Sequence, residues 1–363
     1  MTEVAIARQE DYSPIELRSQ LEKMLADISI LDSFRGADVL IKPNCTGYCS
    51  PDEGRTTHPA VVKALVELLR KYDAFVRIGE SSSTNLNTQM VYDVTGITHV
   101  ARELSVPLID FKKSTNIVFG KHYSLPEELL ESDCLISVGK MKTNYVTTIS
   151  CAMKNLKGLL PDHQKVECHR NGLSQSLVEL YSTVQSELRC VALVDGILGS
   201  ELYRPRPAHV LVASEDFIAC DAVCANVMGV DADKVEHLRL ASYLGERDIA
   251  KMQIHGRLFS VAPPFRSTPP GLESMAEEFG VEIIDGKPCS SCIGGLYYIL
   301  GKLKKQRPEM LKGLRIAIGN CEGFDLSGAI LFGNCSYNQN SESAPGCPPT
   351  TADFAKAVMR LTY

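Results

Sequence analysis

Short apolar runs of four to six residues alternate along this chain with longer stretches in helical register, and that alternation limits the fold more than any other feature. Runs this short are too brief for buried helices, which need about ten residues or more. Joined by helical crossovers, they build a mainly parallel sheet with both faces covered. The predicted strands are Val4–Ala7, Ala37–Ile41, Ala74–Ile78, Pro107–Asp110, Cys134–Val138, Val191–Asp195 and Val210–Ala213. Ser13 and Pro14 open a helix with Leu17, Leu21 and Leu25 on one face. Thr57, His58 and Pro59 open another, striped by Val62, Leu65, Val66 and Leu69. Further helices are predicted near Ser150–Lys157, Ser174–Ser186, Asp216–Met228 and Lys234–Leu244. The expected class is α/β, a mainly parallel sheet with helices on both faces.

Ala262–Gly271 reads APPFRSTPPG, and its four prolines mark a semi-rigid linker. A large domain over 1–261 and a smaller α/β, cysteine-rich domain over 272–363 are expected on either side. In the latter, Leu272–Phe279, Ile293–Lys305 and Ala352–Leu361 are predicted helices, and Val281–Ile284, Leu314–Ile318 and Ala329–Phe332 predicted strands.

The chain carries 13 cysteines in 363 residues, an odd number that forbids complete intramolecular pairing. Its N-terminus lacks the basic start and apolar core of a secretory signal. No apolar run approaches the ~20 residues that span a bilayer. A cytoplasmic setting is therefore expected, where thiols stay reduced and clustered cysteines bind metal or react. A net charge of −6 gives no global basic field for nucleic acid.

Five cysteines fall in the last 75 residues: Cys289, Cys292, Cys321, Cys335 and Cys347. On the predicted strand map, Cys289, Cys321 and Cys335 each follow a strand, and Cys347 precedes the last helix. In a parallel sheet those loops share one edge, where ligands bind. Thiolates gathered there suit a [4Fe–4S] cluster or a four-cysteine zinc site. A zinc ribbon repeats C-x-x-C, and here there is one, so iron–sulfur is favoured, with zinc the alternative. Cys45 and Cys49 are spaced C-x-x-x-C beside another strand end, whereas Cys220 and Cys224 sit four apart in an apolar helix and are read as core. Cys134, Cys151, Cys168 and Cys190 are read as buried thiols.

In the large domain, polar groups follow three strands: Lys42 to Asn44, Gly79 to Thr84, and Gly139 to Asn144. Lys140, Lys142, Lys154 and Lys157 add local positive charge to an acidic protein, so a small anionic substrate is expected there. His58 or Glu80 would move a proton, and Asp195, in VDG after a strand, would bind a metal or accept a hydrogen bond. No phosphate-binding GxxxxGK[ST], GxGxxG, GxSxG or HExxH motif occurs.

IKPN (Ile41–Asn44), TTHPAVVKALVELL (Thr56–Leu69), IGES (Ile78–Ser81), SVGKMKTN (Ser137–Asn144), AMKNLKGLLP (Ala152–Pro161), ALVDGILG (Ala192–Gly199) and ASEDFIACDAV (Ala213–Val223) occur in this order. Over roughly residues 38–245 the chain resembles the domain-of-unknown-function family 362. That resemblance implies an α/β protein common in anaerobes and often joined to iron–sulfur modules. The C-terminal G-x-C and GCPP segments are similar to the proximal-cluster motif of the nickel–iron hydrogenase small subunit. By that resemblance Cys289, Cys292, Cys335 and Cys347 would be the four cluster ligands, with Cys321 a fifth candidate. A more distant similarity is to the lactate racemase family, but Asn144 stands where a histidine of KMKTH is expected, so racemase catalysis is not carried over.

The expected function is an iron–sulfur protein with one cluster, exchanging electrons with an anionic small molecule and served by a ferredoxin-like donor. The competing expectations are a non-redox, metal-assisted enzyme of lyase or racemase type, and a zinc-binding or cluster-assembly protein.

Overall fold

Alternation of apolar residues toward both faces puts Val4 and Ile6 of the first strand into one core and Ala5 and Ala7 into another. A sheet buried on both sides follows. The computed structural model describes residues 1–84, 86–119, 123–144, 146–267, 271–288, 290–336, 342–346 and 348–362. It divides into two units, Met1–Phe265 and Arg266–Tyr363.

The strands of the first unit are β1 (Glu3–Arg8), β2 (Asp38–Pro43), β3 (Phe75–Glu80), β4 (Leu108–Asp110), β5 (Asn116–Phe119), β6 (Tyr123–Pro126), β7 (Cys134–Asn144), β8 (Thr148–Ser150), β9 (Arg189–Glu201), β10 (Arg204–Pro207), β11 (Val210–Ser214) and β12 (Gln253–His255). The main sheet runs β12-β1-β11-β9-β7-β2-β3-β4, with β8 and β10 added antiparallel to β7 and β9. From β9 to β4 the pairings are parallel, while β11 is antiparallel to both of its neighbours. The separate β5–β6 hairpin stands outside it. Helices Pro14–Asp27 and Pro59–Arg70 bury Leu17, Leu21, Val62 and Leu65 in one core. Helices Leu173–Glu187 and Phe217–Met228 bury Leu177, Leu180, Phe217 and Val223 in the other. The fold is α/β with a mostly parallel central sheet.

Two predicted elements differ instructively. The strand expected to stop at Val138 runs on to Asn144, because β7 stays paired with β9 through Lys140, opposite Asp195, and again at Lys142. Lys140 and Lys142 thus lie on a strand rather than in a loop. The helix expected over 150–157 is instead β8 followed by a 3₁₀ turn at Met153–Leu159. Ser13 holds the position before the first helix, yet its hydroxyl makes no capping bond.

The second unit carries β13 (Glu282–Gly286), β14 (Arg315–Gly319), β15 (Ala329–Phe332) and β16 (Ser343–Ala344), all parallel and adjacent in that order. Helices Leu272–Phe279, Ser290–Gln306 and Thr351–Thr362 complete it. Among the described residues no helix is long and apolar enough to cross a membrane.

Candidate functional site

The carboxyl ends of β2, β3, β7 and β9 hold a connected set of buried polar side chains in the first unit. Lys42 follows the apolar run Val39–Ile41 near the end of β2, and its ammonium donates to Glu80 Oε2 at 2.7 Å and to Asn155 Oδ1 at 3.2 Å, with Lys42 and Glu80 almost wholly buried. Glu80 also accepts from the backbone N–H groups of Ser81 and Cys45. Its oxygens therefore accept three donors from two segments, and a buried charge needs such partners. Gly158 allows this packing, since a Cβ there would collide with Glu80 Oε1 and stand 2.6 Å from Lys42 Nζ. Lys165 closes the neighbouring loop by donating to Ser81 O, Ser81 Oγ and Ser82 O.

A second buried group centres on Asp195. It accepts from Lys140 Nζ (2.7 Å), Tyr12 Oη (3.0 Å), His58 N (3.0 Å) and Ile197 N (3.2 Å). Burial raises the Tyr12 phenol, and the adjacent Asp195 carboxylate raises it further. Burial lowers Lys140, against the pull of Asp195. His58 caps the helix Pro59–Arg70: its Nδ1 accepts from Ala60 N, and its ring stacks on Tyr12 at 3.6 Å. The neutral ring then carries its proton on Nε2, which makes it a donor at that nitrogen. Burial lowers the His58 pKa, opposed by Asp195.

Lys142, Lys154 and Lys157 form a third group. Lys142 donates to Asn44 Oδ1 at 2.7 Å and to the carbonyl of Arg55 at 2.8 Å. Lys157 meets His169 Nε2 at 2.6 Å. Burial pushes Lys142 and Lys157 down to about 8 and His169 to about 4, and neighbouring cations add to each shift. Lys154 is pushed well below the usual lysine range by burial, then by Lys157 and Lys142. The turn that carries Lys154 and Lys157 is anchored by Asp221, whose carboxylate accepts from Ala152 N and Met153 N.

The structure thus brings Lys140 and Asp195 together, sets Glu80 on Lys42, and puts Lys154 and Lys157 on one turn that follows the partner strand of Lys142. Tyr12, Asn155, Lys165 and Asp221 were not singled out from the sequence. Lys42 is visible in the sequence at its strand end, and Asn155 could have been found as a polar residue inside a motif segment; Tyr12 and Asp221 reach the site from distant elements and left no local signal. Cys45 and Cys49 are buried, and burial pushes the Cys45 thiol up to about 12.

In the second unit, Cys321 follows β14, Cys335 follows β15, and Cys292 lies in the first turn of Ser290–Gln306. Cys289 and Cys347 lie outside the described residues. The described backbone is shaped for close approach. Gly319, Gly333 and Gly346 have φ of 90°, 96° and 140°, values that favour glycine. A Cβ on Gly333 would meet Cys292 Sγ at 3.2 Å, and one on Gly286 would meet Cys321 Sγ at 2.7 Å. Asn334 N donates to Gly346 O at 3.0 Å, and Gly346 N to Asn334 Oδ1 at 2.7 Å. The residue before Cys335 and the residue before Cys347 are therefore bonded to each other, and Cys292 rests against the same loop. Cys292 and Cys335 are thus carried by segments that approach one another at the end of β15. Among the described residues no three His, Cys, Asp or Glu side chains are arranged to hold a metal ion.

Fold and site define an α/β protein whose parallel strands deliver buried, lysine-rich polar groups to one sheet edge. The chain belongs to the family described as Domain of unknown function (DUF362), whose profile matches residues 39–226. A thylakoid-associated protein of Synechocystis sp., sll1697, is 25% identical over a match covering 67% of this chain and 79% of that protein. The lactate racemase apoprotein from Thermoanaerobacterium thermosaccharolyticum superposes with a TM-score of 0.39 at 13% identity, over 61% of this chain and 57% of that one. A structural-genomics protein from Thermotoga maritima gives 0.38 at 10% identity, over 65% and 60%. The match spans less than two thirds of the length of either solved structure.

Proposed function

We propose that this chain is an iron–sulfur protein that binds one [4Fe–4S] cluster in its second unit and performs redox chemistry on a small anionic molecule held in its first. The observation that carries the reading is the meeting of the Cys292, Cys335 and Gly346 segments at the carboxyl edge of β15. Cys289, Cys292, Cys335 and Cys347 would hold the cluster, and Cys321, beside Gly286, is the fifth candidate. A bound cluster supplies single-electron transfer at a potential tuned by its surroundings. Lys142, Lys154 and Lys157 would hold the anion by charge. Asp195 keeps Lys140 and Tyr12 in place, and His58 would present its Nε2 proton. A ferredoxin-like protein is the proposed electron donor, and the setting is a reducing, cytoplasmic one.

The test is purification without oxygen, followed by iron, sulfide and zinc analysis and visible absorbance. About four irons and four sulfides per chain are expected, with broad visible absorbance. Serine in place of Cys289, Cys292, Cys335 or Cys347 should lower the iron content, and Cys321→Ser should not. Stoichiometric zinc without iron, or no metal at all, overturns the assignment.

A further inference from the structure

We infer that Lys142, Lys154 and Lys157 form a subsite for the phosphate group of a small phosphorylated molecule. The inference rests on the anion reading above and narrows it to one chemical class.

Other well-buried lysines of this network have a carboxylate. Lys42 has Glu80 at 2.7 Å, Lys140 has Asp195 at 2.7 Å, and Lys165 has Asp162 at 3.2 Å. The remaining three have none within ion-pair distance among the described residues. Lys142 meets a side-chain amide oxygen and a backbone carbonyl, and Lys157 meets an imidazole nitrogen. Lys157 and Lys142 both act on Lys154 by repulsion, and Lys154 shares one 3₁₀ turn with Lys157. A set of partly buried cations is costly without counter-charge, and the described residues place no carboxylate within ion-pair distance of it. A bound anion would supply the missing charge.

The geometry favours a compact, doubly charged group. Lys154 and Lys157 are three residues apart on the 3₁₀ turn Met153–Leu159, where side chains at that spacing stack over one another. Lys142 comes from the end of β7, and its antiparallel partner β8 leads directly into that turn. The three donors therefore come from a strand end and from the turn that follows its antiparallel partner. A phosphate monoester offers three acceptor oxygens on one centre and two negative charges, and lysine binds it as a point charge. A monocarboxylate offers one charge to three cations. A dicarboxylate carries its two charges on separate centres several bonds apart rather than on one. His169 is exposed beside Lys157, which leaves the group an entry from solvent.

The probe is inorganic phosphate, titrated calorimetrically into the full-length protein purified without oxygen, at neutral pH and low salt. Acetate and succinate are run in parallel, and Lys154→Gln, Lys157→Gln and the exposed-site control Lys113→Gln are compared. Circular dichroism checks the fold of each variant. Saturable phosphate binding is expected, tighter than acetate or succinate and weakened about tenfold or more in Lys154→Gln and Lys157→Gln but not in Lys113→Gln. Phosphate binding that is unchanged in both lysine-site variants overturns the subsite. Lys154-dependent binding of succinate in preference to phosphate overturns the phosphate class and leaves the anion reading standing. Binding of none of the three anions overturns both.

Discussion

Lys140 and Asp195 stand opposite each other in register on the neighbouring parallel strands β7 and β9, with Nζ and Oδ2 2.7 Å apart and both side chains fully buried. Removing one partner of such a pair leaves an uncompensated buried charge, at a cost of about 3–5 kcal/mol. Asp195→Asn should therefore lower the unfolding free energy by about that amount in denaturant titrations. Replacing both residues with apolar ones of similar volume should recover most of the loss. A single variant with wild-type stability would show that Lys140 does not carry a charge needing this partner.

Gly158 faces another buried pair, Lys42 and Glu80, with no room for a Cβ. Overpacking in a filled interior costs about 1–3 kcal/mol. Gly158→Ala should show at least that loss, and more if the ion pair is pushed apart. Glu80→Gln should be worse than Glu80 left intact beside Gly158→Ala, because it removes the carboxylate that neutralises Lys42. The measurement is again denaturant unfolding of the full chain, compared across the two variants.

How far the sequence revealed this arrangement depended on whether the information was local. The α/β class, the helix Pro59–Arg70 and the strand Ala329–Phe332 follow from periodicity and turn residues, which are local. The extension of β7 past Val138 does not, because Gly139 and two lysines look like a solvated loop until β9 is placed beside them. The antiparallel β1 and β11 also hide, since an apolar run does not carry its direction. At the site, Lys140, Lys142 and Asp195 were visible as polar residues at strand ends, and Lys154 and Lys157 as nearby positive charge. Their division into paired and unpaired cations was not, because Lys140 meets Asp195 from 55 residues away and Tyr12 from 183.

The unpaired lysines give a pH signature. Lys157 is held near 8 in the folded chain, against an unfolded value of about 10.4. A lysine depressed by folding destabilises the native state below its folded pKa, and that penalty fades as pH rises toward the unfolded value. Lys157→Gln removes the penalty. The variant should therefore be more stable than the wild type near pH 7, with an advantage that shrinks from about pH 8 to about pH 10. Comparing the two proteins at each pH cancels the thiol ionisations they share. An advantage that grows with pH would contradict the assignment.

Cysteine reactivity separates the two units. The thiolate is the reactive form, so a buried thiol with a raised pKa is inert. Burial pushes Cys45 and Cys134 up to about 12, and Cys220 and Cys224 are also raised, chiefly by burial. Cys335 is exposed, whereas Cys292 and Cys321 are buried. In iron-free, folded protein, brief alkylation followed by peptide mass mapping should mark Cys335 well before Cys45, Cys134, Cys220 or Cys224. In protein that has taken up iron and sulfide, Cys335 should be protected while the core thiols stay unlabelled. Equal labelling of Cys335 in the two preparations would remove it from the ligand set, and early labelling of Cys45 would contradict its burial beneath Glu80.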